Sequence, residues 1–392
     1  MPPSRTRDPR FGLLCFGFVV CGIVTVLPGP MLPLLAAKWG LRDVQSGAFF
    51  AAEFAASTIA AIMAPRRMRW SLPRGYALLT VGVLLLVVAG RAVSPSTGHA
   101  LALGSFLLIG FGIGLSVTAT NLLVGSANKE LRAQRLSVVN LWWGIGAVGC
   151  PWLIAFAAPA ANLPIFLACV AGVACVMFVL FLPLREVPGE MRATKLSLAS
   201  DGPVLIFFAV MLFLYVGVEN AVSGWVATYT NRFSGLNFRD SSMMVSIFWL
   251  ALLTGRGVGS VALRRMPERA VLVPSLAISV TAVTLLLLPH TTITVIAAVV
   301  VAGLGFGPVF PIGVSRMLAR LSDHRNTGWV FATCASGGAV LPWLTGLFSS
   351  SLGSLRMGFA VPLAALAVIL LLALGENAIL GDAETMSAAE RL

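Results

Sequence analysis

Charge is what this chain has least of. Only 11% of its 392 residues are Asp, Glu, Lys or Arg, against about 25% in water-soluble domains. Apolar residues make up 58%, and the mean hydropathy is +0.93. A soluble fold of this length could not hide so much apolar surface, so lipid is the solvent. Histidine is scarce too: His99, His290 and His324 are all predicted in loops. The six cysteines, Cys15, Cys21, Cys150, Cys169, Cys175 and Cys334, fall in or beside apolar runs without metal-ligand spacing and read as small buried hydrophobes. There is no nucleotide-binding loop of the G-x-x-x-x-G-K type, and no cluster of His, Asp or Cys at a membrane face. These absences argue against a metal, a cofactor and an integral-membrane enzyme. The net charge of +12 does not point to nucleic acid, because the basic residues form short clusters between apolar runs.

What the chain does have is twelve apolar runs of spanning length, at 11–36, 45–64, 74–92, 101–126, 135–158, 163–184, 203–230, 241–263, 271–289, 292–315, 327–350 and 357–375. A helix rises ~1.5 Å per residue, so ~20 residues cross the hydrocarbon. The first run follows Arg5, Arg7 and Arg10 but is too long for a signal peptide and is read as a retained span. Twenty lysines and arginines lie on the side of the N-terminus, six on the other, and Arg256 inside a span. That bias places both termini in the cytoplasm. The expected architecture is all-α and integral to the inner membrane. It has a six-helix half over 1–185, a cytoplasmic linker over 186–202, a second half over 203–375 and a small, acidic, solvated tail over 376–392.

The two halves repeat. Gly110-Phe111-Gly112-Ile113-Gly114 recurs as Gly303-Leu304-Gly305-Phe306-Gly307, and Ala147-Val148-Gly149-Cys150-Pro151-Trp152-Leu153 recurs one residue shorter as Ala339-Val340-Leu341-Pro342-Trp343-Leu344. Arg66-Arg67-Met68 recurs as Arg264-Arg265-Met266. The offsets of 193, 191 and 198 lie near half of 392. Such a repeat in a membrane protein marks a transporter that rocks one half against the other.

Twelve spans, a 6+6 repeat, cytoplasmic termini and a charged central loop resemble the major facilitator superfamily. In that family spans 1, 4, 7 and 10 line a central cavity, spans 2, 5, 8 and 11 flank it, and the remainder lie outside. The family's G-x-x-x-D-R-x-G-R-R marker between spans 2 and 3 is degenerate here: Ala64-Pro65-Arg66-Arg67-Met68-Arg69-Trp70 keeps the basic residues and lacks the Asp and the glycines. Within span 7, Tyr215, Gly217, Glu219, Gly224 and Trp225 resemble the Y-V-G-x-E and G-x-W pattern of the fucose–galactose–glucose:proton symporter group. Phe248-Trp249-Leu250 and Gly255-Arg256 of span 8 resemble it as well. That group's acidic residues in spans 1 and 4 are missing; span 4 offers Ser116, Thr118, Thr120 and Asn121.

Two carboxylates fall well inside spans, Glu53 in span 2 and Glu219 in span 7. Burying one costs at least a few kcal/mol, so each is expected to face a cavity or a partner. Reversible proton binding suits both; the alternative is a fixed carboxylate hydrogen-bonded to neighbouring helices. Tyr215, Glu219 and Ser223 share one helical face, with Gly217, Asn220, Gly224 and Thr228 beside it. Arg256 is expected to snorkel, cap a helix end or act in gating. Gly110, Gly114, Thr118, Asn121 and Gly125 form a small and polar face on span 4, and span 5 adds Asn140, Trp142 and Trp143. Tryptophan beside asparagine suits a sugar ring, with its apolar faces and hydroxyl edges, and equally a lipid interface. Pro308 and Pro311 should kink span 10, as Pro151 and Pro342 should kink spans 5 and 11.

The solute-binding set is therefore Glu219, Asn220, Tyr215, Trp225, Asn121, Thr118, Asn140 and Trp143, with Glu219 and Glu53 for proton coupling. The expected protein is a monomeric secondary transporter in a lipid bilayer. It moves a small, polar, neutral solute, a sugar first, by alternating access, driven by protons or sodium. Proton-driven efflux of amphipathic drugs or metabolites is the alternative.

Overall fold

The computed structural model describes residues 9–127, 132–158, 162–183, 201–288, 291–321 and 327–381. Twelve helical stretches are long and apolar enough to cross a membrane: Arg10–Trp39, Asp43–Met63, Trp70–Ala89, Pro95–Gly125, Gln134–Ala157, Leu163–Phe181, Gly202–Phe233, Phe238–Ala262, Glu268–Leu287, Thr292–Arg320, Trp329–Leu352 and Leu355–Leu380. These are spans 1 to 12 below.

Proline decides where spans break. Span 10 divides into Thr292–Phe306 and Val309–Arg320 at Gly307-Pro308, as Pro308 predicted. Proline has no N–H to bond the preceding turn, but it starts a new helix well. Pro311 falls in the first turn of the second segment. Span 1 divides in the same way, into Pro9–Val26 and Pro28–Trp39. Pro28-Gly29-Pro30 carries that signal in the sequence, and the break was not anticipated. Pro151 and Pro342 lie inside helices that run on through them, Arg132–Ala157 and Thr327–Leu352.

The glycine repeat is a packing code. A methyl on Gly110 or Gly114 would collide with the backbone oxygens of Glu53 or Ser57, so span 4 lies directly on span 2. A methyl on Gly303 or Gly307 would come within 2.7 or 2.6 Å of the oxygens of Phe248 or Leu252, so span 10 lies on span 8. The glycine between them does the same on the other side: Gly112 meets Gly75 of span 3, and Gly305 meets Ser275 of span 9. Close backbone approach at small residues is how helices associate where lipid removes the hydrophobic drive. These contacts pair Glu53 with Phe248 and Ser57 with Leu252, each 195 positions apart.

The halves meet at the end of the bundle away from the N-terminus. Span 2 packs on span 11, span 5 on span 8, and the second segment of span 1 on span 7. Among the described residues no packed interface joins spans 4 and 5 to spans 10 and 11. The bundle is thus sealed at one end and splayed at the other.

Several expectations are corrected. Glu376 does not lie in a solvated tail: span 12 runs on to Leu380, and the Glu376 carboxylate is buried between Arg316 Nε at 2.8 Å and Arg320 Nε at 2.9 Å. His99 lies in the helix Pro95–Ala127 rather than a loop, its ring edge-on to Phe49 at 5.4 Å. Cys169 and Cys175 are exposed on span 6 instead of buried. His290, His324, nearly all of the central linker and the tail from residue 382 lie outside the described residues.

Candidate functional site

A narrow cleft, with an accessible volume of only about 10 Å³, lies where the halves meet, and it is built twice over. Its lining includes Thr25 and Asn220, Gly29 and Gly224, Phe50 and Val245, and Phe54 and Trp249, one residue of each pair from each half. In every pair the second residue stands 195 positions after the first, the offset that relates the packing of spans 2 and 8. Val26 and Ser223 complete the wall, and no charged side chain belongs to it. Trp249 is buried, with its indole N–H unpartnered, and Trp143 of span 5 packs edge-on to it at 5.4 Å. Asn220 spends its amide N–H on the carbonyl of Val216 at 2.8 Å. The cleft therefore offers an aromatic wall, two hydroxyls, an amide and an indole donor. Pockets that bind small polar solutes combine an apolar lining with a few fixed polar groups in this way.

Two layers close the cleft at the sealed end. Trp225, expected at the solute, is fully buried instead: its indole donates to the carbonyl of Pro342 at 2.9 Å and its ring tilts against Phe50. It ties span 7 to span 11 and does not face the cleft. Beyond it, Arg232 grips Asp43 with both terminal nitrogens at 2.7 Å, and Ser349 donates to the same carboxylate. A bidentate arginine–carboxylate pair combines strength with fixed geometry. This bridge joins spans 2, 7 and 11, and thus both halves.

Immediately before Asn220 in span 7 stands Glu219, half-buried. The hydroxyl oxygen of Tyr215 lies 2.7 Å from its Oε2 and 2.8 Å from the carbonyl oxygen of Phe306, the last residue before the break in span 10. Arg256 of span 8 reaches toward span 7. Its guanidinium stands 3.6 Å from the same Oε2. The structure thus gathers Tyr215, Glu219, Arg256 and the span 10 break into one cluster beside the cleft.

The remaining candidates are dispersed. Glu53 is fully buried between spans 2 and 4, and neither carboxylate oxygen has a hydrogen-bond partner. The alternative of a carboxylate hydrogen-bonded to neighbouring helices finds no partner for Glu53 among the described residues. Thr118 and Asn121 are half-buried on span 4 and do not line the cleft, and a methyl on Gly125, a turn further on, would meet nothing. Asn140 is exposed, its amide bonded back to Leu136 at 2.8 Å. Trp143 reaches the cleft only as the backing of Trp249. Sequence reasoning missed Thr25, Phe50, Phe54 and Trp249 as site residues. The repeat could have found them, since a gap-free offset of 195 pairs each with a residue of spans 1, 2, 7 or 8.

Comparison with known proteins accords with this geometry. The model of the Major Facilitator Superfamily matches residues 14–327. A glucose/galactose transporter of Brucella abortus is 25% identical, with 93% of this chain and 94% of that protein covered. Among solved structures, the fucose:proton symporter FucP of E. coli aligns with a TM-score of 0.63 at 16% identity, covering 94% of this chain and 98% of that one. A D-xylose–proton symporter aligns with a TM-score of 0.74 at 14% identity, covering 93% and 96%. The likeness to the solved structures is one of fold. With the family model spanning most of the chain, and twelve spans sealed around a cleft between two repeated halves, the protein belongs to the Major Facilitator Superfamily: it is a multi-pass membrane transporter and not an enzyme.

Proposed function

We propose that this protein carries a neutral sugar across the inner membrane by alternating access, coupled to protons, with its termini in the cytoplasm. The observation that carries the reading is the paired, uncharged cleft, with Phe54 from one half and Trp249 from the other. A sugar ring lays its apolar CH faces on aromatic rings, and its hydroxyls bond groups such as those of Thr25, Ser223 and Asn220. A cleft lined by both halves is also the place where a rocking motion would pass the solute from one side to the other. The Brucella relative named for glucose and galactose supports the same solute class. With cytoplasmic termini, the splayed end faces inward and the Asp43–Arg232 bridge closes the outer side. Of the two proton-binding candidates, Glu219 borders the cleft while Glu53 is walled off inside the first half.

The test is thermal stabilisation of the purified protein by a panel of hexoses, pentoses, amino acids, organic acids and hydrophobic cations. A ligand that binds the folded state raises its melting temperature. Stabilisation by a hexose, lost in Trp249→Ala and in Asn220→Ala, is the expected result. Stabilisation by hydrophobic cations alone would overturn the sugar reading in favour of drug efflux.

A further inference from the structure

The sealed end of the bundle carries an excess of positive charge. Lys38, Arg42, Arg91, Arg232, Arg239 and Arg356 stand at the span ends there, against Asp43 and Asp240. Such an excess draws anions to that face. A cavity of about 240 Å³ opens into it, over the Asp43–Arg232 bridge, far roomier than the central cleft. Its polar walls are Arg42, Asp43, Arg232, Ser349, Ser350 and Ser354. Span 2 begins at Asp43, which sets Arg42 at the mouth. Gly353, at φ +70°, turns the chain after span 11, and the Ser354 N–H bonds back to the carbonyl of Ser349 at 3.1 Å.

A count of hydrogens shows what the cavity can still bind. Asp43 is its only acidic wall residue, and that carboxylate already accepts from both terminal nitrogens of Arg232 and from the Ser349 hydroxyl. The Ser350 oxygen accepts the Val44 N–H at 2.9 Å. The Arg42 guanidinium and the hydroxyl hydrogens of Ser350 and Ser354 meet no acceptor among the described residues, and Arg42 is exposed. Two guanidinium groups against one carboxylate leave the walls net positive. Spare donors, net positive charge and no free carboxylate are the complement of an oxyanion.

The walls also come from both halves, Arg42 from the first and Arg232, Ser350 and Ser354 from the second. The cavity is therefore whole only while this end is shut. Resting on the alternating-access reading above, we propose that it binds a small oxyanion from the medium, a sulfate, phosphate or carboxylate, and that the bound ion holds the sealed end closed. The ion takes the free hydrogens of Arg42 and Ser354 and leaves the Asp43–Arg232 pair intact beneath it. A ligand that binds one conformation only shifts the equilibrium toward it. At about ten times its Kd the ion lowers the ratio of open to sealed molecules about elevenfold. It acts as a brake and not as cargo, since its cavity lies beyond the layers that close the central cleft.

Thermal melting of the purified protein in sodium sulfate, against sodium chloride at equal ionic strength, reads the binding. Sulfate also stabilises proteins through exclusion from their surface, an effect that does not saturate and acts on every variant alike. The expected result is a saturable rise in the wild type that is lost in Arg42→Gln and reduced in Ser354→Ala, which keeps every charge. Equal rises in all three would overturn the site. Spin labels at Val93→Cys and Ile293→Cys, both exposed at the sealed end of opposite halves, read the brake once Cys169→Ser and Cys175→Ser have removed the exposed native thiols. Sulfate should enlarge the share of the short, sealed distance, and should not do so with Arg42→Gln added. A saturable melting shift with an open population that sulfate leaves undiminished would overturn the brake. A protein that never shows an open population would refute alternating access, and the melting shift would then decide the anion site by itself.

Discussion

The two halves pack alike and carry different chemistry. Where span 4 lies on span 2, the residue under Gly110 is Glu53; where span 10 lies on span 8, the residue under Gly303 is Phe248. Counting the same 195 positions back, the place of Glu219 is held by Val24 and that of Arg256 by Ala61. Each half therefore buries a carboxylate at a position where the other has an apolar side chain. The first half encloses its carboxylate without a hydrogen bond, while the second sets its own at the edge of the cleft beside a tyrosine and an arginine. Duplication preserves what both halves need, the small residues that let backbones touch. Charge is costly in lipid wherever it stands, so it is retained only where one half uses it.

The largest effect should come from breaking the shared packing. Gly110→Val and Gly303→Val each force a side chain into a neighbouring backbone, which has no rotamer to yield. Overpacking typically costs about 1–3 kcal/mol and sometimes more, and both variants are expected at or beyond the top of that range. Loss of monodisperse protein in detergent, or a large fall in melting temperature, checks it. A half that tolerated its substitution would show that the glycine repeat is not what joins spans 4 and 10 to their neighbours.

Comparable in size is the effect at the Glu376 cluster, which belongs to the second half alone. Removing both partners in Arg316→Ala/Arg320→Ala strands a buried carboxylate, a change of roughly 3–5 kcal/mol. Restoring neutrality with Glu376→Gln in that background should recover part of the lost melting temperature. No recovery would mean that the arginines act by packing.

The cross-half bridge should be milder, because Arg232 is more than one-third exposed. Asp43→Asn and Arg232→Ala should each cost about 1.5–3 kcal/mol, the range for a hydrogen bond to a charged group. Both should favour opening of the sealed end, read as faster labelling of a cysteine placed at Ser349. Equal labelling rates with and without the bridge would remove it from the gate.

The smallest effect sharpens the comparison at the cleft. Thr25→Ala and Asn220→Ala remove paired polar groups from opposite halves, and each should weaken sugar binding by about 1 kcal/mol, several-fold in Kd, with little change in stability. Titration of hexose against each variant checks this. An effect confined to one half would show that the solute leans on that half alone.

The sequence made the spans legible because hydropathy and length are local properties. The glycine repeat was legible for the same reason, and Pro308 marked the span 10 break. Glu219 and Tyr215 stood out as a carboxylate and a phenol one helical turn apart. What stayed hidden were contacts across the fold. Asp43 and Arg232 are 189 residues apart and look like unrelated loop-end charges until the halves are closed. Trp225 reads as a solute ligand until span 11 covers it. Arg256 reads as a snorkelling side chain until span 7 brings Glu219 within 3.6 Å. Glu376 looked like the start of a solvated tail because its partners lie 60 and 56 residues back on span 10.

The most direct measurement is hexose uptake into liposomes holding the purified protein, with and without an imposed pH gradient, for the wild type, Glu53→Gln and Glu219→Gln. The expected result is uphill accumulation under the gradient by the wild type and by Glu53→Gln. Glu219→Gln should retain only downhill exchange. Absence of hexose flux in the wild type, or full gradient-driven accumulation by Glu219→Gln, would contradict a sugar carrier coupled to protons at Glu219.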